Sequence, residues 1–117
     1  MIYVSYFAKM SRMPIDMRKN CVSIALWTPK GVNIPTYGKL APSKSILLEY
    51  KNSKDEQKKK IYVHRYCQEV LKNLCCDEVA ADLDGKVLCC YEKNGDFCHR
   101  YIVARWLLKH GYEVKEF

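Results

Sequence analysis

Residues 86–108 read KVLCCYEKNGDFCHRYIVARWLL, and this stretch decides the fold. Val87, Leu88, Cys89 and Cys90 make a continuous apolar run of strand length. The polar segment Glu92, Lys93, Asn94, Gly95 turns the chain, and Asp96 opens a second apolar pattern with helical spacing. The reading is a buried strand, a tight turn, and a helix whose first turn carries Cys98, His99 and Arg100. Turns of this kind bring polar side chains and unpaired N–H groups to the carboxyl edge of a parallel sheet, where open α/β proteins bind ligands.

Working outward, residues 2–7 (IYVSYF) are β-branched and aromatic without a breaker and predict a first strand, with Ser5 and Lys9 toward its carboxyl end. Pro14 and the polar residues after it predict a loop or short irregular helix. Residues 21–27 (CVSIALW) predict a second strand, apolar on both faces as in a parallel sheet covered by helices, and Pro29 and Gly31 stop it. From residue 31 to 42 glycines and prolines predict a long loop, with Tyr37, Lys39 and Leu40 as candidate lid residues. A short helix starts near Pro42 and Ser43. A longer one covers residues 54–74, with Val63, Cys67, Val70, Leu71 and Leu74 on its apolar side and His64, Arg65 and Gln68 on the other. A third spans residues 77–83. The last helix, residues 97–110, turns Ile102, Val103, Trp106 and Leu107 to the sheet and ends at Gly111. Residues 112–117 alternate as an edge strand. Strand and helix alternate, so the expected fold is one α/β domain over residues 1–117. It is a three-layer sandwich with a small, mostly parallel sheet of about four strands and helices on both faces.

Composition narrows the classes further. The 117 residues fit one domain, and 49% hydrophobic with 28% charged residues is ordinary for a globular chain. Of the 7 cysteines, two pairs are adjacent in sequence (Cys75-Cys76 and Cys89-Cys90), and the start MIYVSYFAKM lacks the features of a secretory signal. The expectation is reduced thiols in a cytoplasmic protein without a membrane span. The net charge of +7 favours anionic partners, though lysine dominates it and Lys58-Lys59-Lys60 suits a solvated helix face.

Leu88-Cys89-Cys90-Tyr91-Glu92-Lys93 followed by Phe97-Cys98-His99-Arg100 resembles the C-x-E…C-H-R signature of the bacterial and phage domain-of-unknown-function family four-eight-eight, with Cys90, Glu92, Cys98, His99 and Arg100 at the signature positions. Its short stand-alone members are also similar across Ser23-Ile24-Ala25-Leu26, Thr28-Pro29-Lys30-Gly31 and Leu40-Ala41-Pro42. Where larger relatives carry a glycine at the end of the first strand and an Asp-x-Arg at the end of the second, this chain has Val4-Ser5-Tyr6-Phe7 and Ala25-Leu26-Trp27. The anion role implied by the resemblance therefore falls on Arg100, Lys30 or Lys9. The phage-type resemblance also implies modification or sequestration of a nucleotide, including a counter-defence role.

Three chemistries follow from the central stretch. The first is a site for an anionic, nucleotide-like small molecule. It uses the helix N-terminus, Arg100, Lys93, Asn94 and Gly95, with Ser5, Lys9 and Tyr37 nearby and stacking from Tyr6, Tyr37 or Trp27. The second makes Cys98 a nucleophile, with Glu92 and His99 as acid-base or orienting groups. Neighbouring helical residues diverge by about 100°, so a Cys98–His99 hydrogen bond is not the default geometry. The third is non-specific nucleic-acid binding through the lysines of residues 51–60 and the tyrosines. Cys89, Cys90, Cys98 and His99 are residue types that could ligate a metal, but no C-x-x-C or paired-histidine spacing occurs, so neither a metal nor another cofactor is expected.

Overall fold

A computed structural model describes residues 1–51, 55–92 and 97–117. Four strands, β1 (Ile2–Tyr6), β2 (Cys21–Ser23), β3 (Val87–Cys90) and β4 (Val114–Glu116), form one sheet in the order β2-β3-β1-β4, every pair parallel. Among the described residues five α-helices join them: α1 (Ile15–Arg18), α2 (Lys44–Lys51), α3 (Glu56–Glu69), α4 (Cys76–Leu83) and α5 (His99–Lys109).

Period-two alternation divides the strand residues between two cores. Ile2, Val4, Val22, Leu88 and Cys90 point into the larger one, with α2 to α5, while Cys21, Val87 and Cys89 meet Phe7 of the 3₁₀ helix Phe7–Arg12, Met13 at its C-cap and Met17 of α1. Helices thus cover both faces, and the three-layer expectation holds. The β3 backbone is central: Val87 pairs with Tyr3 on one side and Cys21 on the other, so an uninterrupted apolar run is what its position requires.

Local chemistry sets the helix ends. Ser43 Oγ accepts from Ile46 N at 3.2 Å and Asp55 Oδ1 from Lys58 N at 2.8 Å, capping α2 and α3. Gly111 ends the last helical segment at φ 88°, a conformation without penalty for glycine. Several boundaries move. β2 stops at Ser23, although Ile24 N still reaches Cys89 O at 3.1 Å. α3 buries Tyr62 and Tyr66 while Val63 is exposed. Of the expected stripe, Leu71 is buried and Cys67, Val70 and Leu74 pack on the core; what aliphatic spacing missed is the two tyrosines, and Tyr66 can be wholly buried because its hydroxyl donates to Leu40 O at 2.6 Å.

The loop expected to act as a lid is fastened down. Ser23 N donates to Pro35 O and Tyr37 N to Ser23 O, both at 2.8 Å. Tyr37 hydroxyl donates to Asp82 at 2.7 Å, and Leu40 is fully buried. Lys39 sits exposed beside them.

Candidate functional site

In the order β2-β3-β1-β4 the connection from β1 passes β3 to reach β2 and that from β3 passes β1 to reach β4, so the carboxyl ends of β1 and β3 lie side by side. Arg100 sits against both. Its side chain is wholly buried, with Nη1 donating to Cys90 Sγ at 2.8 Å and to the Glu92 carbonyl, and Nη2 donating to Tyr101 Oη at 2.9 Å. Glu116 lies 3.8 Å from Nη2, and the guanidinium carbon sits 5.7 Å from the Tyr6 ring centre and 4.6 Å from that of Tyr101. The arginine thus ties together the carboxyl ends of β1, β3 and β4. It was expected to meet an anion; the structure gives it internal partners instead, because a desolvated guanidinium needs several acceptors and π faces, and these residues supply them.

The opening lies one strand away, over the ends of β2 and β3. A cavity of about 420 Å³ is walled by Ala25, Leu26 and Trp27 after β2, by Cys90, Tyr91 and Glu92 at the end of β3, and by Cys98 and His99 at the start of α5. Pro42, Leu47, Tyr50 and Lys51 from α2 and its lead-in, Tyr62 of α3, and Phe97 close the remaining side. Three aromatic pairs fix one wall: Tyr50 with Tyr62 (5.7 Å between centroids), and Phe97 with each of them (5.1 Å). The lining is apolar and aromatic, with Lys51 and Glu92 its only ionic side chains among the described residues.

Cys98 and His99 sit at the floor. α5 begins at His99, and Cys98 is its N-cap with extended backbone (φ −153°, ψ 148°), not a first-turn residue. The helical divergence expected for this neighbouring pair therefore does not apply, and Cys98 Sγ lies 3.7 Å from His99 Nδ1. His99 Nε2 is 2.8 Å from the Ile24 carbonyl. A carbonyl only accepts, so Nε2 carries the proton and Nδ1 turns its lone pair to the sulfur. Burial keeps this imidazole neutral: its pKa is pushed down to about 4, chiefly by loss of solvent, with Arg100 contributing in the same direction against the Ile24 bond.

Cys90 and Cys98 are joined as a disulfide, which corrects the expectation of reduced thiols for this pair; Cys21, Cys67, Cys75, Cys76 and Cys89 are free. The Cys90 sulfur, the Cys98 sulfur and a Glu92 carboxylate oxygen lie within 4.8 Å of one another. Sequence spacing gave no sign of such a cluster, because Cys90 ends a strand and Cys98 caps a helix, eight residues apart.

Of the expected site residues, Glu92, Cys98 and His99 share one cavity, and Arg100 stands behind it. Ser5 is buried elsewhere, its hydroxyl 3.3 Å from Phe117 O, and Lys9 stacks on the Phe117 ring at 5.0 Å. Tyr37 is held by Asp82, away from the cavity lining. Ser5 and Lys9 were expected near the central motif from the end of the first strand and Tyr37 from the loop over residues 31–42; none of the three lines the cavity. Lys93, Asn94, Gly95 and Asp96 lie outside the described residues. Sequence reading took Cys90 for a signature position and a metal ligand unsupported by spacing, placed Lys51 only among the nucleic-acid-binding lysines, and did not connect Tyr50 or Tyr62 with this site.

Fold and site together define a small parallel α/β domain with a Cys-Glu-Cys cluster and an adjoining histidine at an aromatic cavity on its carboxyl edge. The chain belongs to the DUF488 family: the active DUF488-N3 subclade matches residues 8–111. No curated protein and no solved structure matches it. Among the described residues no helix is long and apolar enough to cross a membrane.

Proposed function

We propose that the chain binds a nucleotide-like small molecule, for sequestration or modification, with the flat ring in the cavity over β2 and β3 and the anionic group at the mouth near Lys51. The observation that carries this reading is the lining. A cavity of about 420 Å³ falls within the usual range for small-molecule sites, and its walls are Trp27, Tyr50, Tyr62, Tyr91 and Phe97. Aromatic faces stack on a planar base without regard to its hydrogen-bonding edge, each contact worth about 1–3 kcal/mol. Glu92 and the Ala25–Leu26 backbone supply the polar groups that orient a ring. Lys51, at the last position of α2, is exposed and lines the cavity.

Sealing of Arg100 moves the proposed recognition from the phosphate to the ring. Isothermal titration with nucleoside 5′-monophosphates of each base, and with inorganic phosphate as control, tests this. At least one monophosphate binds, phosphate alone does not, Trp27→Ala weakens binding about 5- to 150-fold, as one lost stacking contact implies, and Lys51→Ala weakens it less. Equal binding of phosphate and nucleotide, or an affinity indifferent to Trp27→Ala, would overturn the reading.

A further inference from the structure

We propose that, in the reduced protein, Cys90, Glu92 and Cys98 hold a zinc ion at the cavity floor and leave its fourth position open to the cavity. The two sulfurs and a Glu92 carboxylate oxygen lie within 4.8 Å of one another. Tetrahedral zinc, with sulfurs at about 2.3 Å and a carboxylate oxygen at about 2.1 Å, holds the sulfurs about 3.8 Å apart and each about 3.6 Å from the oxygen. The three donor atoms are therefore gathered closely enough to share one ion. The Cα atoms of the two cysteines are 7.5 Å apart, beyond the about 4.4–6.8 Å that disulfides usually span, and the wider separation suits two thiolates with an ion between them. His99 stands outside the donor set. Its Nδ1 faces Cys98 Sγ at 3.7 Å and accepts the thiol proton when the reduced protein holds no metal.

Formal charge supports the same set. Two thiolates and a carboxylate bring three negative charges to a site whose cysteines are buried, and burial penalises such charge unless it is compensated. Zinc supplies two positive charges and Arg100 the third, with Nη1 donating to Cys90 Sγ at 2.8 Å and to the Glu92 carbonyl. One guanidinium thus favours the Cys90 thiolate and anchors the backbone of the carboxylate ligand, as groups behind metal ligands do. Sulfur donors select zinc over magnesium or calcium. All three ligands line the cavity, which gives the ion its way in.

The site rests on the cavity of the proposed nucleotide reading and deepens it. With the ion bound, Glu92 is committed to the metal, and the fourth position, otherwise filled by water, is where a ring nitrogen or carbonyl oxygen of the occupant coordinates. In the disulfide form the sulfurs have no thiolate to offer. The redox state of Cys90 and Cys98 therefore decides whether the cavity floor carries a metal.

The test uses metal alone. A non-chelating phosphine reduces the protein, taking up oxygen from water as the disulfide gains two electrons and two protons, and is then removed by desalting without air. Titration with Co²⁺ should show one equivalent bound, with thiolate charge-transfer absorbance and tetrahedral d–d bands, displaced by one equivalent of Zn²⁺; the disulfide form should show neither feature. Cys90→Ser and Cys98→Ser each lower the affinity at least about 100-fold and Glu92→Gln at least about 10-fold, since changing even a group behind a ligand costs about 10–100-fold. Cys75→Ser, at an exposed free cysteine, leaves the spectrum unchanged. Absence of the charge-transfer band in the reduced wild type, an equal band in the disulfide form, or its loss in Cys75→Ser would overturn the site. Unchanged affinity in Glu92→Gln would overturn the carboxylate as third ligand. The wild-type comparison depends on no variant folding, and because no nucleotide is present, failure here is separable from failure of nucleotide binding.

Discussion

Arg100→Met separates a structural arginine from a ligand-binding one. Methionine approximates the length and bulk of the arginine stem, so the change removes charge and donors with little loss of packing. It takes the donor from the Cys90 sulfur and the Glu92 carbonyl and parts Glu116 from its cation at 3.8 Å. Removing one partner of a buried ion pair costs about 3–5 kcal/mol. Glu116 is 38% exposed and can turn to water, which places the expected loss near the lower end, about 3–4 kcal/mol. For a domain whose whole stability is about 5–15 kcal/mol, that is a large fraction. At about 4 °C per kcal/mol for a chain of this size, Tm falls by about 12–16 °C. Urea unfolding followed by far-UV circular dichroism, with the redox state held constant, reads the effect as a lower midpoint at unchanged slope. A loss under about 1 kcal/mol would refute the assignment, especially if the variant bound nucleotides less well while unfolding like wild type.

Other substitutions probe the larger core. Tyr66→Phe deprives the buried Leu40 carbonyl of its 2.6 Å donor and should cost about 1–3 kcal/mol in the same unfolding experiment; no change would mean that water replaces the hydroxyl. Leu107→Ala, at a fully buried position of α5, should cost about 2–5 kcal/mol, readable as a lower Tm. On the surface, Arg65 holds the Glu69 carboxyl below its ordinary pKa through a hydrogen bond at 2.6 Å. A depressed carboxylate pKa stabilises above its unfolded value of about 4.3 and loses that contribution as pH falls through the folded value. Stability measured from pH 7 to 3 should therefore decline less steeply in Arg65→Met than in wild type, and identical profiles would contradict the coupling.

How much of this was legible before the coordinates depends on the range of the interaction. Residues 86–108 announced a buried strand and a following helix because both signals are local: four apolar residues in a row, then helical spacing ending at Gly111. The parallel order followed from the alternation of strands with helices. Long-range partners were not legible. Nothing near Arg100 in sequence says that Tyr6 from β1 and Glu116 from β4 close over it, so a buried brace read as an anion contact. The same limit hid Tyr50 and Tyr62, whose roles depend on α2 and α3 folding back over the end of β3. Cys98 illustrates a smaller failure. Placing the helix start two residues early put its thiol in a first turn, where it diverges from His99; as an extended N-cap it meets the imidazole. Glycine and proline spacing over residues 31–42 reported irregular backbone, but not the long-range hydrogen bonds of Ser23 and Tyr37 that hold it.

The central claim, that the aromatic cavity beside Cys98 and His99 receives a planar ring, has a built-in reporter. Trp27 lines the cavity and Trp106 does not, and these are the 2 tryptophans of the chain. In Trp106→Phe the indole emission comes from Trp27 alone. Titration with nucleoside monophosphates should quench that emission saturably, at the same midpoint as the calorimetric binding curve. Emission that stays flat, or falls only linearly with every monophosphate, would contradict the account.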